Sequence, residues 1–384
     1  MAHFIAKAAD LKKAVSTAAL ATSDATDTIK GHILFSAING MLMLQATDDD
    51  SISYTTTAIE DLSDKCSFTA EPKNILELLK DSDTEKVRFD YDSDTKTLNV
   101  YVSDDTESYV SFPSFDPAEF LSFNEHLKAM QEVDKISTSV LSTGLKFIEG
   151  FVSQDKKSQK YANSFISEGI IYGSNGSNRV GAFKADDLAK IFKLTIRSQM
   201  VGPVLEFINS VAQDQISFKE SEKMVLFTAT DSSSGFGFRK STVEMPKMPI
   251  SLEVPAMDGI YVNRKELIKK VNRVSVALRG EVKGIEMMVY GDTLNINTVA
   301  DRKSVERIAC KRITGTDPMH FILDCGMLKK ALSQFLAPQI DIYSSTKAKK
   351  CFLYNAGELV IGDDKDPIKK PFISVCLLGV ARTV

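Results

Sequence analysis

The chain has 384 residues, 43% hydrophobic and 26% charged, with a formal net charge of −4. That balance provides ordinary buried cores and excludes an intrinsically disordered chain. No apolar run of 18 or more residues could span a bilayer, the opening MAHFIAKAAD lacks the unbroken apolar core of a secretory signal, and the expected location is the cytoplasm with no membrane partner.

In chain order, the first predicted element is a short helix marked by Leu11/Val15, an apolar pair that falls on one helix face. Ile33 to Gln45 then reads as a hairpin turning at Asn39-Gly40, and Ser51 to Ile59 as a strand. A second pair, Ile75/Leu79, precedes the period-2 pair Val87/Phe89, and Leu98 to Val102 adds a strand. Pro113 and Pro117 favour an extended connection, after which Leu141/Leu145 marks a third helix. Val204/Ile208 is followed by Ile216/Phe218, then strands at Met224 to Thr230 and Phe236 to Arg239. Beyond a second proline-rich connection, with Pro246, Pro249 and Pro255, lie Leu267/Val271, strands at Ile285 to Tyr290 and Leu294 to Val299, then Leu328/Leu332 with Ile340/Ile342. Cys351 to Tyr354 and Phe372 to Leu377 complete the strands.

The six helical pairs recur about every 61 to 66 residues, and in alternate copies the trailing strand pair keeps the same offset. Such self-similarity predicts internal duplication. The expected fold class is α+β: three tandem duplicated domains, 1–124, 125–253 and 254–384, with helices on one side of mainly antiparallel sheets.

Local catalytic signatures are absent: there is no Walker loop, GxSxG elbow, HExxH or zinc pattern, and His3, His32, His126 and His320 are far apart in sequence. No catalytic residue, metal ligand or cofactor is assigned. GSNGSN at 173–178 reads as a hairpin turn, and the five cysteines (Cys66, Cys310, Cys325, Cys351, Cys376), odd in number and without CxxC, read as reduced thiols. Aspartates 48–50, 90/92/94, 104–105 and 363/364/366 read as solvated turns, with hard-cation binding as the alternative.

Basic residues are segregated onto or beside the helices: Lys12, Lys13, Lys73, Lys80, Lys146, Lys269, Lys270, Arg273, Lys329 and Lys330, with Lys156, Lys157 and Lys160 in SQDKKSQKY. They form either ordinary solvated helix faces or a surface for sequence-independent contact with duplex phosphates. Aromatic residues are not interleaved with them, which disfavours a single-strand stacking platform.

Repeat number, order and length together resemble the β-type sliding clamps of bacterial and bacteriophage DNA polymerases, along essentially the whole chain. Segments that carry the resemblance are LFSAINGMLMLQATDDDSISYTTTAI (34–59), SQDKKSQKYANSF (153–165) and the terminal PFISVCLLGV. The resemblance implies a non-catalytic homodimeric ring around duplex DNA that tethers a polymerase and is opened by a clamp loader. It places the basic residues above, with Arg197, toward DNA. It also implies a partner-peptide cleft at Phe183, Leu188, Pro246, Phe352, Val375 and Leu377, although AFKADDL (182–188) departs from the Thr-Asp-Gly-His-Arg-Leu run of many bacterial clamps. For the dimer interface it implies Tyr109, Val110 and Phe112 meeting Val274, Val276 and Leu278, expected as two edge strands joining into one sheet. Alternatives are a clamp-like scaffold that does not close a ring, and an enzyme with a dispersed site; two-domain trimeric clamps would need four half-repeats rather than six.

Overall fold

The structure, a computed structural model, describes residues 1–25, 27–80, 82, 84–103, 107–121, 123–153, 161–191, 193–244, 246–247, 251–253, 256–278, 284–299, 303–316, 318–345, 350–361 and 368–379. One pattern, strand–helix–strand–strand–strand, runs through it six times. The first two copies are β1 (Ala2–Lys7), α1 (Ala8–Ala18), β2 (Ile33–Ile38), β3 (Met41–Thr47), β4 (Ser51–Ala58), and β5 (Cys66–Ala70), α2 (Pro72–Lys80), β6 (Lys86–Asp92), β7 (Thr97–Tyr101), β8 (Val110–Pro113). A short helix α3 (Asn124–Lys128) leads to β9 (Gln131–Ser137), α4 (Thr138–Glu149), β10 (Asn163–Ser167), β11 (Ile170–Ser174), β12 (Arg179–Ala185). The fourth copy is β13 (Lys193–Arg197), α5 (Ser198–Val211), β14 (Gln215–Glu220), β15 (Met224–Ala229), β16 (Ser234–Arg239). The last two are β17 (Asp258–Asn263), α6 (Arg264–Val276), β18 (Gly284–Tyr290), β19 (Thr293–Thr298), β20 (Val305–Thr314), and β21 (Met319–Asp324), α7 (Cys325–Gln334), β22 (Gln339–Ser345), β23 (Lys350–Ile361), β24 (Ile368–Gly379).

All twelve residues of the six helical pairs are buried, from Leu11 at 0% exposed to Leu79 at 6%, so the periodicity in the sequence is the stripe by which each helix lies on its sheet. Full burial of one such side chain is worth roughly 1.5–3 kcal/mol. Where a cap is visible it is a side-chain oxygen on an orphan amide: Asn263 accepts from the Glu266 N–H at 3.0 Å and Asp324 from the Met327 N–H at 2.8 Å. The hairpin between β2 and β3 turns where the sequence predicts, with Asn39 at φ 52° and Gly40 at φ 75°, the double left-handed geometry of a two-residue loop.

The chain packs as two compact units. In the first, Met1–Thr138 with Gly202–Lys240, an eight-stranded sheet runs β5-β2-β3-β4-β16-β15-β14-β9, accompanied by a four-stranded sheet β1-β6-β7-β8. A phenylalanine stack links the two sheets: Phe4 and Phe89 of the smaller sheet stack at 5.1 Å, Phe35 and Phe68 of the larger at 4.9 Å, and Phe4 meets Phe68 across them at 6.2 Å, all four fully buried. In the second, Ser139–Val201 with Ser241–Val384, a twelve-stranded sheet runs β13-β10-β11-β12-β24-β23-β22-β17-β20-β19-β18-β21. There α4 lies tight on its sheet: a Cβ on Gly144 would stand 2.7 Å from Ile171 Cδ1 and 2.9 Å from Phe183 Cδ1.

Both long sheets contain the same kind of joint. In the first unit β4 pairs antiparallel with β16, Thr55 opposite Ser234 through Ser51 opposite Phe238. In the second unit β12 pairs antiparallel with β24, Arg179 opposite Leu378 through Ala185 opposite Phe372. Each joins the last strand of an odd-numbered copy to the last strand of the even-numbered copy three places later. The same rule assigns the last strand of the fifth copy, β20, to that of the second, β8.

Candidate functional site

Helix geometry separates the basic residues from the buried stripes. Lys12, Lys13, Lys73, Lys80, Lys146 and Lys269 are exposed on α1, α2, α4 and α6. Others are engaged within the chain. Lys270 Nζ lies 2.7 Å from Glu306, which holds that carboxyl below its usual range, and Arg273 approaches Glu306 at 3.6 Å. Lys329 donates to Ser275 Oγ at 2.6 Å. Lys330 is partly buried near Arg179, and burial together with that like charge pushes its pKa down. Arg197 closes β13, partly buried. Lys156, Lys157 and Lys160 lie outside the described residues. Asp48–Asp50 form a turn, in which Asp48 accepts from the amides of Asp50 and Ser51, but Asp90 corrects the expectation of a solvated turn: it lies within β6, 4% exposed and bidentate to Arg88, because strand pairing with β7 buries it. Among the described residues no group of three or more His, Cys, Asp or Glu side chains could hold a metal. GSNGSN forms the β11–β12 turn, where the Asn175 side-chain Oδ1 accepts from the backbone amides of Ser177, Asn178 and Arg179.

Among the described residues, two strands that close a copy of the pattern, β8 and β20, keep an open edge. β8 pairs with β7 alone, and Val110 at its start and Tyr109 just before it are 39% and 54% exposed. On β20, Val305–Ala309 pairs with β19 alone, and Val305 is 59% exposed. The sequence expectation needs correcting here. Val274 and Val276 are not on a strand: they form the last turn of α6, which ends at Ala277 in helical geometry, and Val274 is fully buried. The alternation of Val274, Val276 and Leu278 imitates a strand, but Leu267, Val271 and Val274 form the stripe that folds. No sheet can run through these residues. Val276 instead projects from the helix end at 77% exposure. Phe112, on β8, lines a cavity of about 280 Å³ with Ile75, Ala70, His32 and Phe115.

A larger cavity, about 460 Å³, opens in the second unit over the β12–β24 joint. Its apolar lining is Tyr161, Phe165, Tyr172, Val180, Pro246, Leu377 and Leu378. Tyr172 fixes the connection beside it by donating to the Pro246 carbonyl at 2.6 Å, and burial pushes the phenol up to about 12. Of the six cleft residues expected from sequence, Pro246 and Leu377 line this cavity, while Phe352 and Val375 belong to the apolar cluster beneath it. Phe183 does not: strand alternation turns it to the other side of β12, where it stacks on Phe372 at 5.5 Å and meets α4. Leu188 is fully buried in the helical turn after β12, away from the lining. The sequence reading missed Tyr161, Phe165, Tyr172 and two lysines, Lys247 and Lys350, at the cavity. For Tyr172 and Val180 the signal existed, as alternate positions on β11 and β12.

No protein-family model matches the chain, and no curated protein matches it. Solved structures do match. The β sliding clamp of Caulobacter crescentus superposes with a TM-score of 0.81 at 14% identity, covering 100% of this chain and 99% of that one. The DNA polymerase III β subunit of Thermotoga maritima gives 0.80 at 13% identity, and the Bacillus subtilis DNA polymerase sliding clamp 0.80 at 16%, each covering 100% of both chains. The chain therefore has, over its whole length, the fold of the bacterial β sliding clamps.

Proposed function

We propose that this chain is a DNA polymerase sliding clamp, a processivity factor without catalytic activity or cofactor, acting in the cytoplasm on three domains of two repeats each: 1–124, 125–253 and 254–384. The observation that carries this reading is the unfinished third joint. One strand rule is satisfied by β4–β16 and again by β12–β24, and its remaining members, β8 and β20, each keep an unpaired edge. A second copy completes the rule twice over, β8 to the partner's β20 and β20 to the partner's β8, so the dimer leaves neither of these two edges unpaired. Val276 sits beside β20 and is the exposed apolar knob for the Phe112 cavity beside the other copy's β8.

On this reading Lys12, Lys13, Lys73, Lys80, Lys146 and Lys269 face duplex DNA, and they bind phosphates without reading bases. Each contact is weak and interchangeable along the duplex, so the ring slides; it stays on DNA because it must open to leave. A closed ring also requires a loader to thread it. The cavity over β12–β24 is the docking groove for the polymerase and that loader.

Small-angle scattering with in-line mass measurement tests the closure. Twice 42.3 kDa in a hollow particle is expected; a monomer at all attainable concentrations would overturn the ring.

A further inference from the structure

The two internal joints allow one to be read against the other. Over β12–β24 the apolar face is partly open, with Phe165, Tyr172, Val180 and Leu377 at the cavity and Leu252 and Met257 of the connecting segment packed beside it. Over β4–β16 the corresponding face, made of Ile52, Met224 and Leu226, is occupied by the chain itself. Phe123, only 3% exposed, is the anchor, with Phe120, Leu127 and Met130 around it. The occupying segment, residues 114–130, reads SFDPAEFLSFNEHLKAM: two aromatic anchors three apart, with Asp116, Glu119 and Glu125 among them. Asp116 is held by Lys96 at 2.9 Å and accepts the Ala118 amide, which fixes the turn that aims the anchors at the sheet.

The open groove has a charge to match such a segment. Among the described residues its lining contains Arg179, Lys247 and Lys350 and no carboxylate. Lys247 and Lys350 are both exposed at its rim.

We infer that the groove over β12–β24 takes a short acidic partner segment with an aromatic anchor, and that residues 114–130 are the internal counterpart of that ligand on the sister joint. This rests on reading the groove as the partner site. It also explains why the β4–β16 joint does not offer partners a second groove of this kind: tethering gives the internal segment a high effective concentration, so an outside peptide cannot displace it. Apolar anchoring supplies affinity and the lysines select against basic or neutral competitors.

The test is calorimetric titration of the full chain with a synthetic peptide of its own residues 114–130. One site per chain is expected. Binding should fall at least tenfold when the two anchor phenylalanines of the peptide, Phe120 and Phe123, are replaced by alanine. Replacing Asp116, Glu119 and Glu125 of the peptide by their amides, or introducing K247E and K350E into the protein, should each weaken it by roughly fivefold to thirtyfold. Absence of saturable binding, equal affinity of the amide peptide, or indifference to the lysine changes would each overturn the inference. Polymerase retention by an L377K variant separates this from the broader reading. If the peptide fails while L377K still loses the polymerase, the groove remains a partner site and only the acidic, aromatic ligand falls; if L377K retains the polymerase, the partner site itself is misplaced.

Discussion

Trimming Val276 to alanine removes two methyl groups from the ring joint and leaves the chain's own core untouched. A methyl or methylene group transferred from water is worth about 0.8 kcal/mol, and Val276 is 77% exposed in the single chain, so closure buries most of it. The expected loss is about 1.2 kcal/mol per joint and about 2.5 kcal/mol for the two joints of one ring, which at 1.4 kcal/mol per tenfold corresponds to a dimer dissociation constant raised about sixtyfold. Alanine is also the better helix former at the end of α6, so the thermal midpoint of the dissociated chain should hold or rise. Sedimentation velocity over a dilution series measures the shift. A dissociation constant within twofold of the parent would show that Val276 does not enter the Phe112 cavity.

Further outcomes are expected. Replacing Lys12, Lys13 and Lys73 together by glutamine should lower the slope of log affinity for duplex against log salt by about 3, at about 0.9 per phosphate contact, without sequence preference; an unchanged slope would remove α1 and α2 from the DNA surface. G144A drives a Cβ to 2.7 Å from Ile171 and should destabilise by about 1–3 kcal/mol, visible as a lower thermal midpoint. K330M should stabilise at neutral pH, because the folded state pushes that lysine's pKa below its unfolded 10.5 and so charging it opposes folding. The advantage is complete below the lowered folded pKa and shrinks as pH rises from there to 10.5; paired melts across that interval would contradict the reasoning if the gap stayed constant or widened.

The sequence exposed the parts of the fold that repeat at helical spacing. Leu11/Val15 and its five counterparts are each the buried stripe of a helix, because a helix on a sheet needs apolar residues one turn apart. Strands such as β1, β5 and β9 escaped notice: AHFIAK, CSFTA and QEVDKIS are short and mix polar residues into both faces, and partners distant in sequence supply their pairing. The groove was half legible. Leu377 and Pro246 could be placed by resemblance, but the side on which Phe183 falls depends on the register of β12 against β24, which no local pattern states. The open edge of β20 was invisible for a similar reason, since an edge is defined by the neighbour it lacks.

The central claim is topological, so the most direct measurement is retention on DNA of different shape after loading. Bound to a nicked circle, the protein should survive a high-salt gel filtration that strips lysine–phosphate contacts, and it should be released when the same circle is cut once to a linear form. Equal loss from circle and linear DNA, or equal retention on both, would contradict a ring that encircles the duplex.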